Sequence, residues 1–130
     1  MSAVSEGGEH PVHPGLFTAS GLLGGECGAC GRRHFPVAVP CPWCGSDDVA
    51  TVMLSTHGTL WGWTAVTAAP PGYEGPVPYG FGVVELPADG LRVVTRLTES
   101  DPAVLEEGAP MRFTVVPLGP GIVTWAYERA

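Results

Sequence analysis

Residues 27–45, CGACGRRHFPVAVPCPWCG, decide the first half of the fold. Two Cys-x-x-Cys pairs, Cys27/Cys30 and Cys41/Cys44, stand ten residues apart, and each is followed by glycine, Gly31 and Gly45. Two thiols three positions apart in a tight turn can face one ion. A glycine after the second permits the positive φ that closes such a turn. Two turns of this kind supply four sulfurs at tetrahedral corners, a donor set that suits Zn²⁺. Four protein ligands leave no open position for water, so the metal expected here is structural and not catalytic. Iron held by four thiolates is the other metal this geometry serves, and colour after aerobic purification separates the two. A disulfide pair and a redox-active pair are the remaining readings. Matched knuckles argue against a single activated pair.

Outward from this stretch, the N-terminal residues 1–15, MSAVSEGGEHPVHPG, are acidic and lack an apolar core. They read as a flexible arm and not as a secretory signal. The expected compartment is the cytoplasm, where thiols stay reduced. Leu16, Phe17, Leu22 and Leu23 follow, interrupted by Gly21, Gly24 and Gly25. They are expected to dock the arm locally, so residues 16–48 form a metal ribbon with a preceding docking segment. A module this small has a thin core and needs its metal.

Beyond residue 48 the pattern is β. Residues 49–54 are apolar and partly β-branched. Residues 59–67 read as a strand, with Gly62 marking a bulge or a close approach. A Pro/Gly loop spans 68–79. Strands follow at 80–86 and 91–97, joined by the hairpin turn Pro87-Ala88-Asp89-Gly90. Asp101 can cap a short helix with Pro102 at its first position, running through Ala103–Glu107 until Gly108 stops it. Two last strands read at 111–117 and 122–128. Three strands, a short helix and two strands is the order of a five-stranded OB barrel, assigned to residues 49–130; a small sandwich is the alternative. The predicted class is thus all-β, a zinc ribbon followed by a five-stranded OB barrel with one short helix.

Composition agrees. The 130 residues contain 19 Gly and 14 Pro, which favours turns and short elements over long helices. Hydrophobic residues at 45% and a mean hydropathy of +0.20 exclude a disordered chain. No apolar run is long enough to span a membrane. The formal net charge is −7, and the six basic residues are all arginine. Nucleic-acid affinity rests largely on phosphate neutralisation, so a nucleic-acid partner is not expected.

At this point the chain resembles the DUF35 family, in which a rubredoxin-like zinc ribbon is joined to an acyl-CoA-associated OB fold. Cys27–Gly31, His34-Phe35-Pro36 and Cys41–Gly45 match the ribbon. Gly58-Thr59-Leu60-Trp61, Pro70-Pro71-Gly72-Tyr73, Pro78-Tyr79-Gly80-Phe81-Gly82, Val84-Glu85-Leu86, Asp101-Pro102 and Gly108-Ala109-Pro110-Met111 match the barrel. Coverage runs roughly from residue 16 to 118. The resemblance implies a non-catalytic partner of a thiolase-like or ketosynthase-like subunit, with acyl-CoA at the shared interface. Family members serve in acyl-CoA thiolysis, in acyl transfer of the polyketide type, or beside thiolase-like aldolases that shorten steroid side chains held as CoA thioesters. The wording of these motifs is nearest the steroid kind. There the related domain can follow a hydratase domain, an arrangement from which these 130 residues depart.

A search for chemistry gives the same picture. Gly-x-Ser-x-Gly, HExxH and phosphate-loop patterns are absent from the sequence. His10 and His13 fall in the arm. His34 reads as a solvated loop residue, and His57 as a turn or surface residue. Glu85 and Glu99 have no evident partner. Candidate contacts for acyl-CoA or for a protein partner are Tyr73 and Tyr79, in a proline-stiffened loop, and Arg32 and Arg33, whose guanidinium groups match phosphate geometry. Trp61, Trp63 and Trp125 could stack ligand bases, though core or interface packing fits the acidic charge better. Two other classes stay open: a stand-alone OB module for a small acyl ligand or single-stranded nucleic acid, and an enzyme active alone.

Overall fold

A computed structural model describes residues 10–11, 15–71 and 77–130. Among these residues ten strands are defined: β1 (His10–Pro11), β2 (Phe17–Thr18), β3 (Gly21–Cys27), β4 (Arg33–His34), β5 (Val49–Met53), β6 (His57–Val66), β7 (Tyr79–Leu86), β8 (Leu91–Leu97), β9 (Pro110–Gly119) and β10 (Ile122–Arg129). The predicted arm, residues 1–15, lies mostly outside the described residues. Within it, the backbone of β1 pairs in parallel with Ile122 and Val123 of β10.

The last five strands close on themselves. β6 pairs with β7 and β9, β7 with β8, and β9 with β10, all antiparallel. One parallel pairing between β8 and β10, Leu97 to Tyr127, completes the ring. This is the OB barrel, strand for strand. Alternation decides which side faces in. Val84 and Leu86 of β7 and Val93, Thr95 and Leu97 of β8 are buried, while the intervening residues face out. The β6–β7 register shifts between Leu60 and Gly62, so the bulge lies where Gly62 marked it.

The short helix is reduced to one 3₁₀ turn, Pro102–Val104. Asp101 caps it by accepting from the Ala103 amide at 3.0 Å. Helix nucleation is costly, and five residues before Gly108 cannot repay it. Leu105 instead turns extended and enters the core.

The ribbon is a second, smaller sheet built on β3. Residues 49–53, read from sequence beyond the ribbon, pair antiparallel with β3 along its length, from Leu23–Met53 to Cys27–Val49. β4 pairs across Gly25–His34 and Glu26–Arg33. The glycines that looked like breaks are strand positions with close neighbours. A Cβ on Gly25 would lie 2.3 Å from His34 Nε2.

The two sheets share one core. Phe17, Leu22 and Leu54 of the ribbon side join the barrel residues Val123 and Tyr127 in a single buried cluster. Trp125 of β10 is gripped by Phe17 and Phe35, each with ring centroids 5.8 Å away. Each fully buried side chain, such as Phe17, Leu22 or Leu54, contributes about 1.5–3 kcal/mol through loss of apolar surface from water.

Candidate metal centre and the adjoining groove

Each Cys-x-x-Cys pair forms the same turn. The Gly31 amide donates to the Cys27 carbonyl and the Gly45 amide to the Cys41 carbonyl, both at 2.9 Å. Both glycines have positive φ, 78° and 82°. The two turns face each other. Cys27 Sγ lies 3.5 Å from Cys44 Sγ, Cys30 Sγ lies 3.8 Å from Cys41 Sγ, and all four sulfurs fall within 4.8 Å of one another. A tetrahedral ion with metal–sulfur bonds of about 2.3 Å requires sulfur–sulfur edges of about 3.8 Å, so the four cysteines fit a metal. The Cys30 and Ala29 amides donate to Cys27 Sγ at 3.4 and 3.3 Å. Led by the Cys30 amide, these bonds lower the Cys27 thiol from 9.0 to about 7, against the desolvation of its buried position. Cys44 moves the other way: against a backbone hydrogen bond from Ser46, its thiol neighbours, Cys27 foremost, and burial push it up to about 12, so the four thiols do not ionise alike and a metal must displace the protons they hold.

Beside this centre runs a groove of about 690 Å³ between ribbon and barrel, lined on the ribbon side by Arg33, Phe35 and Trp43 and on the barrel side by Glu85, Leu91 and Arg92. Arg32 lies over the exposed Trp43 ring, 4.7 Å from its centroid. Arg33 is held differently. Its Nε donates to Glu26 at 3.1 Å and its Nη1 to Asp89 at 2.6 Å. Hydrogen bonding to Asp89 raises its pKa further above the ordinary arginine value.

Of the other candidates, Tyr79 is half-buried with the Arg96 guanidinium 4.3 Å from its ring centroid. Tyr73 lies outside the described residues. Arg32 and Arg33 follow the first metal turn but take different partners, Trp43 for the one and Glu26 and Asp89 for the other, and Tyr79 lies on the barrel. The three tryptophans do not form one platform. Trp61 is exposed under Arg92, Trp63 donates its Nε1 to the Pro102 carbonyl at 3.0 Å, and Trp125 packs at the seam.

Three side chains differ from expectation. His34 is buried, not solvated, because Gly25 leaves room for its ring, and its Nε2 sits 3.1 Å from both the amide and the carbonyl of Ala38. Glu85 does find a partner, Arg92 at 3.3 Å, since β7–β8 register sets them opposite. Glu99 accepts the Asp101 amide at 3.0 Å. His57 is exposed. Sequence reasoning missed Asp89 and Arg92. Asp89 looked like an ordinary turn residue, and Arg92 becomes notable only once Trp61 is known to lie beneath it.

A rubredoxin-like zinc ribbon fused through one core to an OB barrel is the class of protein these features define. The chain belongs to the DUF35 family. Its residues 20–50 match the family model described as the ChsH2 rubredoxin-like zinc ribbon domain, and residues 51–116 match the ChsH2 C-terminal OB-fold domain. A DUF35 domain-containing scaffold protein of Pyrococcus furiosus is 36% identical over 67% of this chain and 62% of its own length. The benzoylsuccinyl-CoA thiolase subunit BbsA of Thauera aromatica is 33% identical over 78% of this chain and 66% of its own. The chain thus spans under two thirds of both relatives. Among solved structures, a chain of the Ltp2-ChsH2(DUF35) aldolase superposes with a TM-score of 0.68 at 28% identity, over 83% of this chain and 84% of that one. No helix among the described residues is long and apolar enough to cross a membrane.

Proposed function

We propose that this chain is a non-catalytic accessory subunit of a thiolase-superfamily enzyme, a thiolase or a retro-aldolase of the steroid side-chain kind. It would work in the cytoplasm and help hold that enzyme's acyl-CoA substrate. The observation that carries the reading is the likeness, over most of the chain, to a protein named as a thiolase subunit and to a chain of an aldolase. In this reading Zn²⁺ occupies the four-sulfur site and has a purely structural role. It fixes the turns that carry Arg32 and Trp43, and so sets one wall of the groove. Catalytic residues come from the partner.

The groove offers what a CoA thioester asks of a neighbour. Arg92 in the groove, and Arg32 over the lining Trp43, can meet phosphate charge, and Phe35 and Leu91 offer apolar surface. Arg33 holds the groove wall through Asp89. Tyr79 and, from the sequence alone, Tyr73 are proposed contacts for the thioester or for the partner subunit.

Tagged purification from the native host, with mass spectrometry of what co-elutes, tests the reading. A stoichiometric thiolase-like or ketosynthase-like protein is the expected result, and its CoA-thioester activity should depend on this chain. Elution of the chain alone across salt conditions would overturn it.

A further inference from the structure

Strand β5, Val49-Ala50-Thr51-Val52-Met53, lies at an open edge of the ribbon sheet. Its one neighbour among the described residues is β3. The ladder decides which backbone groups are left unpaired. The Leu54 amide donates to the Leu22 carbonyl and the Gly28 amide to the Asp48 carbonyl, at 2.9 and 2.8 Å. In an antiparallel pair the bonded positions alternate. Ala50 and Val52 therefore turn their N–H and C=O groups to β3, while Thr51 and Met53 turn theirs outward, with the Val49 carbonyl. The Val49 amide returns to the Asp47 carbonyl at 3.0 Å. Sheets ordinarily guard such an edge with charge, proline or a bulge. β5 has an even register, no charge and no proline. Ala50, Thr51 and Met53 are exposed, and Val52 and Leu54 fix the strand on the shared core.

We infer that this edge takes up an extended segment of the thiolase-like subunit as an added strand, uncharged along its middle and carrying a lysine or arginine where it passes Asp47 and Asp48; the inference rests on the accessory-subunit reading above. Strand addition supplies main-chain partners for the outward groups of Thr51 and Met53. β5 is held in place before docking, so little freedom is lost. Charge sets the chemistry of one end. Asp47 and Asp48 are exposed directly before β5, and no ion pair among the described residues reaches either. Other occupants fit less well. A second copy can meet β5 antiparallel about Thr51, but five residues a side fall short of the roughly 1,000 Å² that a stable dimer buries. A subunit held also at other points of its surface does not need the strand to supply the whole interface. A nucleic acid needs cations, and here two carboxylates stand beside the edge.

The test uses the full chain and the thiolase-like protein that mass spectrometry identifies with it, both purified. Hydrogen exchange is read amide by amide by NMR, in the free chain and after incubation as the complex. In the free chain the Thr51 and Met53 amides should exchange about tenfold or more faster than those of Ala50 and Val52, which β3 holds. In the complex Thr51 and Met53 should slow by about tenfold or more, with Ala50 and Val52 little changed. Thr51→Pro removes an outward N–H and leaves the β3 ladder its bonds, and should raise the Kd about tenfold. Asp47→Lys leaves the backbone untouched, should also weaken binding, and serves where the proline variant does not fold. If Thr51 and Met53 exchange as fast in the complex as in the free chain, the added strand is overturned while the accessory-subunit reading stands. If wild type binds no such protein, that reading falls and takes the inference with it. Protection of these two amides on concentrating the chain alone, or on adding oligothymidylate, would assign the edge to a second copy or to nucleic acid and overturn the inference equally.

Discussion

Arg33 Nη1 lies 2.6 Å from Asp89 Oδ1, joining ribbon and barrel across 56 positions of sequence. The Asp89 side chain is only 2% exposed, and its other oxygen accepts the Ser55 amide at 2.7 Å. One carboxylate therefore ties three segments together: the ribbon strand β4, the β7–β8 turn and the chain entering β6.

Arg33→Ala is expected to destabilise the protein by about 2–4 kcal/mol. Removing one partner of a buried pair leaves an uncompensated charge, and the partial exposure of Arg33, 29%, moderates the loss. Urea unfolding measures it. Adding Asp89→Asn to Arg33→Ala should cost less than the sum of the two single changes, because the charge that Arg33 neutralises is then absent.

Metal removal should unfold the ribbon. Wild type is expected to carry one zinc per chain by elemental analysis, without the visible absorption of an iron–thiolate centre. Cys41→Ala should carry none and should fail to assemble with a partner. Binding to such a site contributes on the order of 10 kcal/mol to folding, more than a small sheet supplies on its own. Trp43 sits inside the second turn, so its fluorescence reports the loss directly. A metal-free Cys41→Ala protein that assembled like wild type would refute the structural role.

Gly25→Ala should destabilise by about 1–3 kcal/mol, since the added methyl meets the His34 ring. In the Gly25→Ala background, His34→Ala removes the obstacle and should recover part of that loss. A double-mutant cycle by denaturant unfolding would show the coupling.

Stability should fall at alkaline pH. Tyr127 is fully buried, and that burial, with the nearby charge of Asp89, raises its hydroxyl pKa well above 10.0. Below pH 10 the group is protonated whether the chain is folded or not, and the folded state incurs no penalty. Above it the unfolded chain releases the proton while the folded one retains it, so stability declines with rising pH by at most about 1.4 kcal/mol per unit. Tyr127→Phe should flatten this slope and change stability little near neutrality. Unfolding midpoints between pH 8 and pH 11 (about 8 and 11, bracketing the free hydroxyl) would check both.

The parts of the fold governed by local chemistry were legible. Cys27, Cys30, Cys41 and Cys44 meet because each turn needs only its own glycine to close. The β7–β8 hairpin was readable because Pro87–Gly90 forms a turn and the strands alternate. What sequence hid depends on distant neighbours. Leu22 and Leu23 looked like a glycine-broken docking segment, but Gly25 belongs to a strand that accommodates a histidine ring from the next one. Residues 49–53 are apolar on both sides and carry no mark of the sheet they join; the pairing with β3 decides it. Arg33 was legible as a cation near a ligand, but its link to Asp89 was not, because a turn aspartate usually serves its own turn.

The shared core has a consequence for how such proteins can be recombined. A ribbon exchanged between relatives would have to bring Phe17 and Phe35 to grip Trp125, and Arg33 to meet Asp89, as well as its four cysteines. A cut made only at the cysteine motif would transplant a metal-binding loop onto a seam that no longer fits. Ribbon and barrel therefore fit as a matched pair, and an exchange would have to carry both sides of the seam.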